Sequence, residues 1–550
     1  MNRILAVLAL LGLALPSLAA SRQRYTISTD GAPRAAALRI ATNAAGAEAP
    51  KRVRTFRNLN GFAADLTAEE AAALRDTPGV RAVEPVVERR ATSLAPEPPF
   101  RSNLASYAKQ VTPWGLPVVH AAEVWAVTRG ENVNVAVLDS GIDLDHPDLK
   151  AAYAGGYNVL EPEKPPVDDY FHGTHVAGTI AATNNAFGIV GVAPGVKLWA
   201  VKTLDHEGKG YDEQIAAALD WVMSKQREIG GRWVVNMSFG AGAEGGTLER
   251  EAVAKALEQD VVLVAAAGNG GSFHLDYPAR FPGVIAVGAV DDQGFRANFS
   301  AYGGHMAIVA PGVELPSTLP DQYREESDII VGNQTFKSRG TIGSPKASIT
   351  GRLIACNLGR PGEFPTTVRG NIAVIARGDN AFREKSRNAK EAGAAAVIIY
   401  DNIPEAGLKP FTLLPKGCPG PECGAEWNDY KFPLTVNVSY EDGQKLLQLA
   451  NQQATVAFEF VRYGTASGTS MSAPHVTSAA ALMLSLDPTL SPSEVLKILR
   501  NTAQDTAEPG WDYETGWGIV DALAAAKWVA PEKFNVPPPP NGTRRRSSRP

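Results

Sequence analysis

Three polar residues, far apart in the chain, have the types that nucleophilic catalysis needs: Asp139 in VAVLDSGID, His172 in FHGTHVAGTIAA and Ser470 in GTSMSAPHV. A serine hydroxyl is a weak nucleophile until a base takes its proton. An imidazole serves as that base best when a carboxylate fixes its tautomer and stabilises the imidazolium. The segment around His172 offers a second chemistry, because His175 lies three residues further on and the two could form a metal pair. HGTH lacks the glutamate and the i, i+4 spacing of a metallopeptidase helix, which weighs against that alternative.

Each of the three residues falls at the edge of an element. Asp139 ends the apolar run of NVNVAVLDSGID, from Asn132 to Asp143, which suits a strand buried on both faces of a parallel sheet. GVKLWAVKTLD, RWVVNMSFG, DVVLVAAAGN and GVIAVGAV repeat that pattern, with helical segments such as Asp212 to Lys225 between them. His172 opens one helix, and Ser470 opens another behind the glycine of SGTS. The alternation predicts an α/β fold, a doubly wound, mostly parallel sheet whose ligand sites lie at the carboxyl ends of its strands.

These blocks, VAVLDSGID, HGTHVAGTIAA, VVNMSFG, VVLVAAAGN and GTSMSAPHV, resemble the signature segments of the subtilisin-like serine peptidases, the subtilases, in the same order Asp, His, Ser. The resemblance covers roughly residues 108 to 320 and 463 to 526. It implies that His172 is the base, Asp139 its orienting carboxylate, Ser470 the nucleophile and His175 a structural residue one turn further along the helix. It makes Asn269, in AAAGN, an oxyanion-hole donor together with the Ser470 N–H; the residue alone also reads as a turn former before Gly270-Gly271.

The resemblance further implies that Ser238, Phe239 and Gly240 pair their backbone with an extended substrate. Ala266, Ala267 and Gly268 would line the other wall of the specificity pocket. The family more often carries leucine where Phe239 stands, so the adjoining pocket is expected to differ. Aligning the Tyr-Pro step of SFHLDYPARFPGV puts Asp276 at the floor of that pocket, where a carboxylate would favour Lys or Arg; a solvated loop aspartate is the alternative.

Asp148 in DHPDL and the TNNAFGI segment offer a carboxylate, an amide oxygen and alternating carbonyls, hard donors suited to calcium. With Gln110 in register with the family's high-affinity site, the implied structural Ca2+ ligands are Gln110, Asp148, Thr183, Asn185, Phe187 and Ile189. No organic cofactor is expected.

The rest of the chain divides around this unit. Residues 1–20 combine one Arg, an apolar run of about a dozen residues and small residues before a cut near Ala19 or Ala20, as in a secretory signal peptide; the run is shorter than the roughly 20 residues that span a bilayer. Residues 21–92 read as strand, helix and strand, with a capping box from Thr67 to Glu70 and a stop at Pro78-Gly79. They resemble the inhibitory propeptide of secreted subtilases. Residues 93–109 have a linker composition, with processing expected between about Glu88 and Lys109.

The peptidase unit is expected at 110–322 and 463–530. Between its parts, 323–462 form a β-rich insert resembling the protease-associated (PA) domain through IAVIARGDNAFREKSRNAKEAGAAAVIIY. Residues 531–550 read as a disordered, Pro-rich basic tail. The three cysteines, Cys356, Cys418 and Cys423, form no disulfide framework, and their pairing stays open. With 53 basic against 58 acidic residues and a net charge of -5, no global basic field exists to hold nucleic acid or an anionic membrane.

The expectation is therefore a secreted, calcium-stabilised, monomeric serine endopeptidase. It would act on protein or peptide substrates and be made as a zymogen inhibited by its own propeptide. A transpeptidase on the same fold and a non-catalytic binding protein built around the insert are the rivals.

Overall fold

The computed structural model describes residues 21–31, 51–92, 109–321, 324–404, 408, 411–413, 431–506 and 509–535. The expected signal segment, most of the 93–109 linker, Cys418, Cys423 and residues 536–550 lie outside them. Cys356 is buried and unbridged.

The N-terminal unit is a four-stranded antiparallel sheet of β1 (Gln23–Thr29), β2 (Lys51–Thr55), β3 (Gly61–Leu66) and β4 (Val80–Pro85), in spatial order β2-β3-β1-β4. Helix α1 (Ala68–Arg75) packs Ala71 and Leu74 against Ile27 and Phe62. Its capping box is formed: Thr67 Oγ1 accepts from the Glu70 N–H at 3.2 Å, and the Glu70 carboxylate accepts from the Thr67 N–H at 2.8 Å. The next strand, β5 (Glu88–Ala91), leaves this sheet and runs into the larger unit.

That unit is built on β6 (Val133–Asp139), β7 (Tyr153–Asn158), β8 (Lys197–Lys202), β10 (Arg232–Met237), β12 (Val262–Ala266), β13 (Ile285–Val290) and β14 (Ile308–Pro311). They lie in the order β14-β13-β12-β10-β6-β8-β7, and every neighbouring pair is parallel. Alternation along β6 explains its unbroken apolar sequence. Val133, Val135 and Val137 join a core with Val176 and Val476, while Ala136 and Leu138 join a second core with Leu219 and Ala252 on the opposite face. Each face is covered by helices, α2 (His172–Ala181) and α7 (Thr469–Leu486) on the first, α3 (Asp212–Ile229) and α4 (Thr247–Glu258) on the second. Helix α3 runs four residues beyond the predicted Lys225 and stops at Gly230, whose φ of 71° ends the turn at low cost.

Two short strands complete the cleft: β9 (Lys209–Tyr211) and β11 (Phe239–Gly240), one on either side of β5. Strand order reverses around β6 and β10, and the carboxyl ends there open the crevice in which ligands of such sheets bind.

β15 (Leu315–Thr318) pairs antiparallel with β24 (Tyr463–Ala466), so the two ends of the insert are neighbours. Between them lies an eight-stranded sheet that begins at β16 (Arg324–Val331) and continues through β17 (Gln334–Lys337), β18 (Arg339–Gly340), β19 (Ala347–Ala355), two further strands and β22 (Leu434–Val438). It ends with β23 (Gln453–Val461), which helix α6 (Tyr440–Gln448) precedes. The strand, helix and strand read from Arg369 to Asn402 are β20 (Ile372–Ala376), α5 (Phe382–Glu391) and β21 (Ala396–Tyr400), the two strands parallel.

The expectation of disorder from residue 531 is corrected for its first five residues. Pro531–Phe534 form a 3-10 turn in which Pro531 is buried, and Phe534 packs against the first core. An apolar ring within reach of the core outweighs the Pro-rich context.

Candidate active site

Asp139 ends β6 and is fully buried. Its Oδ1 and Oδ2 lie 2.8 and 3.0 Å from His172 Nδ1, and Oδ1 also accepts the Ser140 N–H at 2.7 Å. The proton on Nδ1 leaves Nε2 as the acceptor nitrogen. That atom is buried and has no hydrogen-bond partner among the described residues.

The turn that presents His172 is held by Asp168. Phe171 has φ +146°, a region costly for a bulky residue. Asp168 compensates by accepting from the N–H groups of Tyr170, Phe171 and Thr174 at 3.0, 3.0 and 2.9 Å. It also accepts the hydroxyls of Thr174 at 2.6 Å and Ser140 at 2.8 Å. Burial pushes its carboxyl above the usual range, and these donors pull it back. Sequence reading missed Asp168; the only signal was an aspartate four residues ahead of a helix start.

His175 points elsewhere. Its Nε2 donates to Leu315 O at 3.1 Å and Gly464 O at 3.0 Å, pinning α2 to the β15–β24 pair that leads into α7. Burial, aided by the neighbouring His172, pushes its pKa down to about 3, so the ring is neutral. With His172 committed to Asp139 and His175 to two carbonyls, the residues do not form a metal pair.

Ser470 lies in the first turn of α7, wholly buried. Four residues on, Pro474 has no N–H to give to the Ser470 carbonyl. That carbonyl accepts the Ser238 hydroxyl at 2.8 Å instead, and Ser238 accepts from the Asn236 amide at 2.9 Å, which ties α7 to the end of β10. Ser470 Oγ donates to Ser238 O at 2.7 Å and lies 2.7 Å from Thr92 Oγ1. It is therefore not hydrogen-bonded to His172 in this arrangement.

The reason is that Thr92 fills the cleft. Its carbonyl oxygen accepts Asn269 Nδ2 at 2.6 Å and the Ser470 N–H at 3.4 Å, and its N–H donates to Ser238 O at 3.2 Å. Asn269 is aimed by Thr469, whose N–H and hydroxyl both donate to Asn269 Oδ1 at 2.9 Å. Upstream, Ala91 pairs with Phe239 and Arg90 with Gly240, the expected backbone partners. On its other side β5 pairs with Lys209–Tyr211, which sequence reading missed. Three residues carry no periodicity, and the glycines Gly208 and Gly210 were the only sign of a turn there. The fully buried Phe239 packs into the second core.

Across the cleft lie Ala266, Ala267 and Gly268, for which the resemblance implies the other wall. Ala266 closes β12, Ala267 O accepts the Asp276 N–H at 2.8 Å, and Gly268 turns with φ +110°. A Cβ on Gly268 would press on the Asp276 carboxylate, and one on Gly240 on its Cβ, so Asp276 sits between the two walls. Its carboxylate has no hydrogen-bond partner among the described residues. Burial raises its pKa, against the charges of Arg89 and Arg280.

The six expected calcium ligands also gather in one place. Asp148 accepts from Asn185 Nδ2 at 2.8 Å and the Ile189 N–H at 3.0 Å, and Gln110 Nε2 approaches the carbonyls of Thr183 and Ile189 at 3.0 and 3.4 Å. The Phe187 N–H donates to Asn185 Oδ1 at 2.9 Å. Gly188, at φ +65°, has no room for a Cβ beside Asp148 and Tyr463.

Chemically, the cleft can take a proton from a hydroxyl at His172 and polarise a carbonyl between Asn269 and the Ser470 N–H. Residues 130–342 and 417–518, more than half of the chain, match the model of the Subtilase family; 349–446 match the PA domain and 20–92 the Peptidase inhibitor I9 domain. Subtilisin NAT of Bacillus subtilis subsp. natto is 38% identical over 273 residues, covering 48% of this chain and 65% of that protein. The thermostable alkaline protease of Halalkalibacterium halodurans is 39% identical over 269 residues, 48% and 67% respectively. The chain thus spans about two thirds of these relatives' length.

Among solved structures, the psychrophilic subtilisin-like protease Apa1 of Pseudoalteromonas sp. AS-11 covers 78% of this chain and 100% of its own at a TM-score of 0.50 and 30% identity. Fervidolysin of Fervidobacterium pennivorans shares the fold, with a TM-score of 0.57 at 24% identity, over 92% of this chain and 61% of its own. The chain belongs to the subtilase family, with a Peptidase inhibitor I9 domain ahead of the peptidase fold and a PA domain within it.

Proposed function

We propose that the protein is a secreted serine endopeptidase that cuts its own chain after Thr92 and is held inactive by the product. The observation that carries this reading is the Thr92 carbonyl, whose oxygen sits between Asn269 Nδ2 and the Ser470 N–H while the Asp139–His172 pair waits with a free Nε2. The Ser470 hydroxyl leaves Ser238 O and gives its proton to His172 Nε2 as Oγ attacks the Thr92 carbonyl carbon. Asp139 steadies the imidazolium. The oxyanion gains strength from its two donors, and collapse breaks the Thr92–Ser93 bond as His172 returns the proton to the leaving amine. Water then releases the acyl group by the same route, and no step calls on an organic cofactor. Protein substrates would pass through the same cleft. The apolar run of residues 1–20 supports export, and among the described residues no helix is long and apolar enough to cross a membrane.

Inhibition rests on contacts beyond the cleft. Asp220 of α3 accepts the backbone N–H groups of Arg57 and Asn58 at 2.8 and 2.6 Å, and Glu84 accepts the Thr247 N–H at 2.7 Å, at the first turn of α4. These hold the N-terminal sheet on α3 and α4, so the cut strand stays in place. Product masses from a model peptide test the reading: hydrolysed fragments with wild type and none with Ser470→Ala are expected. Ligated or unchanged peptide would favour the transpeptidase or the binding protein.

Calcium would be held by Gln110, Asp148, Thr183, Asn185, Phe187 and Ile189. The residues fit: one buried carboxylate, two side-chain amides and the backbone carbonyls of a closed loop, with the Gln110 amide able to present oxygen by a half-turn. The ion would tie the 183–189 loop to Asp148. Chelation is expected to lower Tm on the order of 10 °C, from about 4 kcal/mol of linkage at 1,000 times Kd. Calorimetry of Ser470→Ala protein with and without chelator checks it, and Asp148→Asn should abolish the difference.

Asp276 supports a preference for a basic residue immediately before the cut. In otherwise identical peptides, cleavage after Arg is expected to exceed cleavage after Phe by roughly 10-fold or more; equal rates would end the idea. Thr92 itself needs no such fit, because attack within one chain replaces binding by proximity.

A further inference from the structure

The fourth residue before the Thr92–Ser93 bond is Arg89, and its side chain is completely buried. Arg89 Nη2 lies 2.6 Å and Nε 3.2 Å from the two carboxylate oxygens of Glu249, and Nη1 donates to Ala243 O at 3.1 Å. Nη1 also reaches Glu88 O of its own strand at 3.3 Å. The Glu249 side chain is equally inaccessible. A Cβ on Gly245 would overlap the carboxylate, so the pocket closes tightly around the pair. The next residue, Arg90, is exposed and pairs with Glu88 at the surface, so arginine as such is not what the strand requires.

Glu249 belongs to α4 of the peptidase unit and remains when residues 21–92 depart. When a substrate strand without a cation takes the place of residues 88–92, it covers the Glu249 carboxylate and leaves it unpaired, a costly state that a guanidinium on that strand relieves. Burial already pushes Glu249 up to about 7 with Arg89 in place. Asp212 adds negative charge nearby, its carboxylate held by the Val87 and Gly246 N–H groups at 3.0 and 2.8 Å.

We propose that Glu249 is a specificity-determining residue and that the enzyme selects substrates with arginine four residues before the scissile bond. This rests on the peptidase reading above. Lysine reaches the same carboxylate with a single point of contact and forgoes the planar two-bond match and the Ala243 carbonyl, so it ranks below arginine.

The test uses mature wild-type enzyme, produced from the full chain, on quenched fluorescent peptides that differ only at that position: Arg, Lys, Leu or Glu. The expected kcat/KM for the Arg peptide exceeds that for the Leu peptide by at least about 30-fold, the low end for leaving one partner of a buried charge pair unmatched, with Lys between them. Glu249→Gln should shrink the Arg-over-Leu ratio to within about threefold; a ratio kept in that variant would overturn the assignment to Glu249. The wild-type series decides the preference even if the variant does not mature. Equal cleavage of the four peptides, abolished in Ser470→Ala, overturns the inference and leaves the peptidase reading standing. Absence of any Ser470-dependent cleavage overturns that reading, and the inference falls with it.

Discussion

Ser470→Ala is expected to lower kcat by about a million-fold, the size measured for the nucleophile in subtilisin itself, and to leave the precursor uncut. The change removes one oxygen from a residue already buried between Ser238 O and Thr92, so the fold should persist, and calorimetry against wild type would check that. The nucleophile and base act as one unit. His172→Ala should cost about as much, and the double variant little more than either alone. Additive losses would mean that His172 and Ser470 work independently, contrary to the proton transfer proposed.

Asn269→Ala carries the second large effect, a fall in kcat of about 10² to 10³ with KM little changed, again the magnitude known from subtilisin. The amide is aimed from both ends. Thr469 fixes Oδ1 through two donors, which leaves Nδ2 directed at the Thr92 carbonyl oxygen. That bond strengthens as negative charge gathers on the oxygen, so its loss falls on the transition state rather than on binding. Asn269→Asp provides a near-isosteric control that keeps the shape and removes the donor. Its kcat should fall at least as far, and a rise in KM alone would contradict the assignment.

Much of this was legible in the sequence where one element dictates its own environment. The β6 run is apolar at successive positions because both faces of the strand meet helices, and that pattern needs no partner to be read. Asp139, His172 and Ser470 announced themselves by type and by position at element ends. What stayed hidden depends on pairing across the chain. Thr92 could be bracketed only by the change of composition after it, because its place opposite Asn269 is set by a strand addition between β9 and β11. Glu249 reads as an ordinary acidic residue in the first turn of a helix, at home near the dipole's positive end. Its cation partner, Arg89, lies 160 residues away in the chain. Phe534 likewise escaped notice because a polar, Pro-rich context hides one ring that finds the core.

The most direct measurement is the first-formed N-terminus of the mature protein, sequenced beside the Ser470→Ala chain prepared in the same way. Ser93 should lead the wild-type chain, with the Thr92–Ser93 bond intact in the variant. A first cut at another bond, or the same cut made without the Ser470 hydroxyl, would contradict the account.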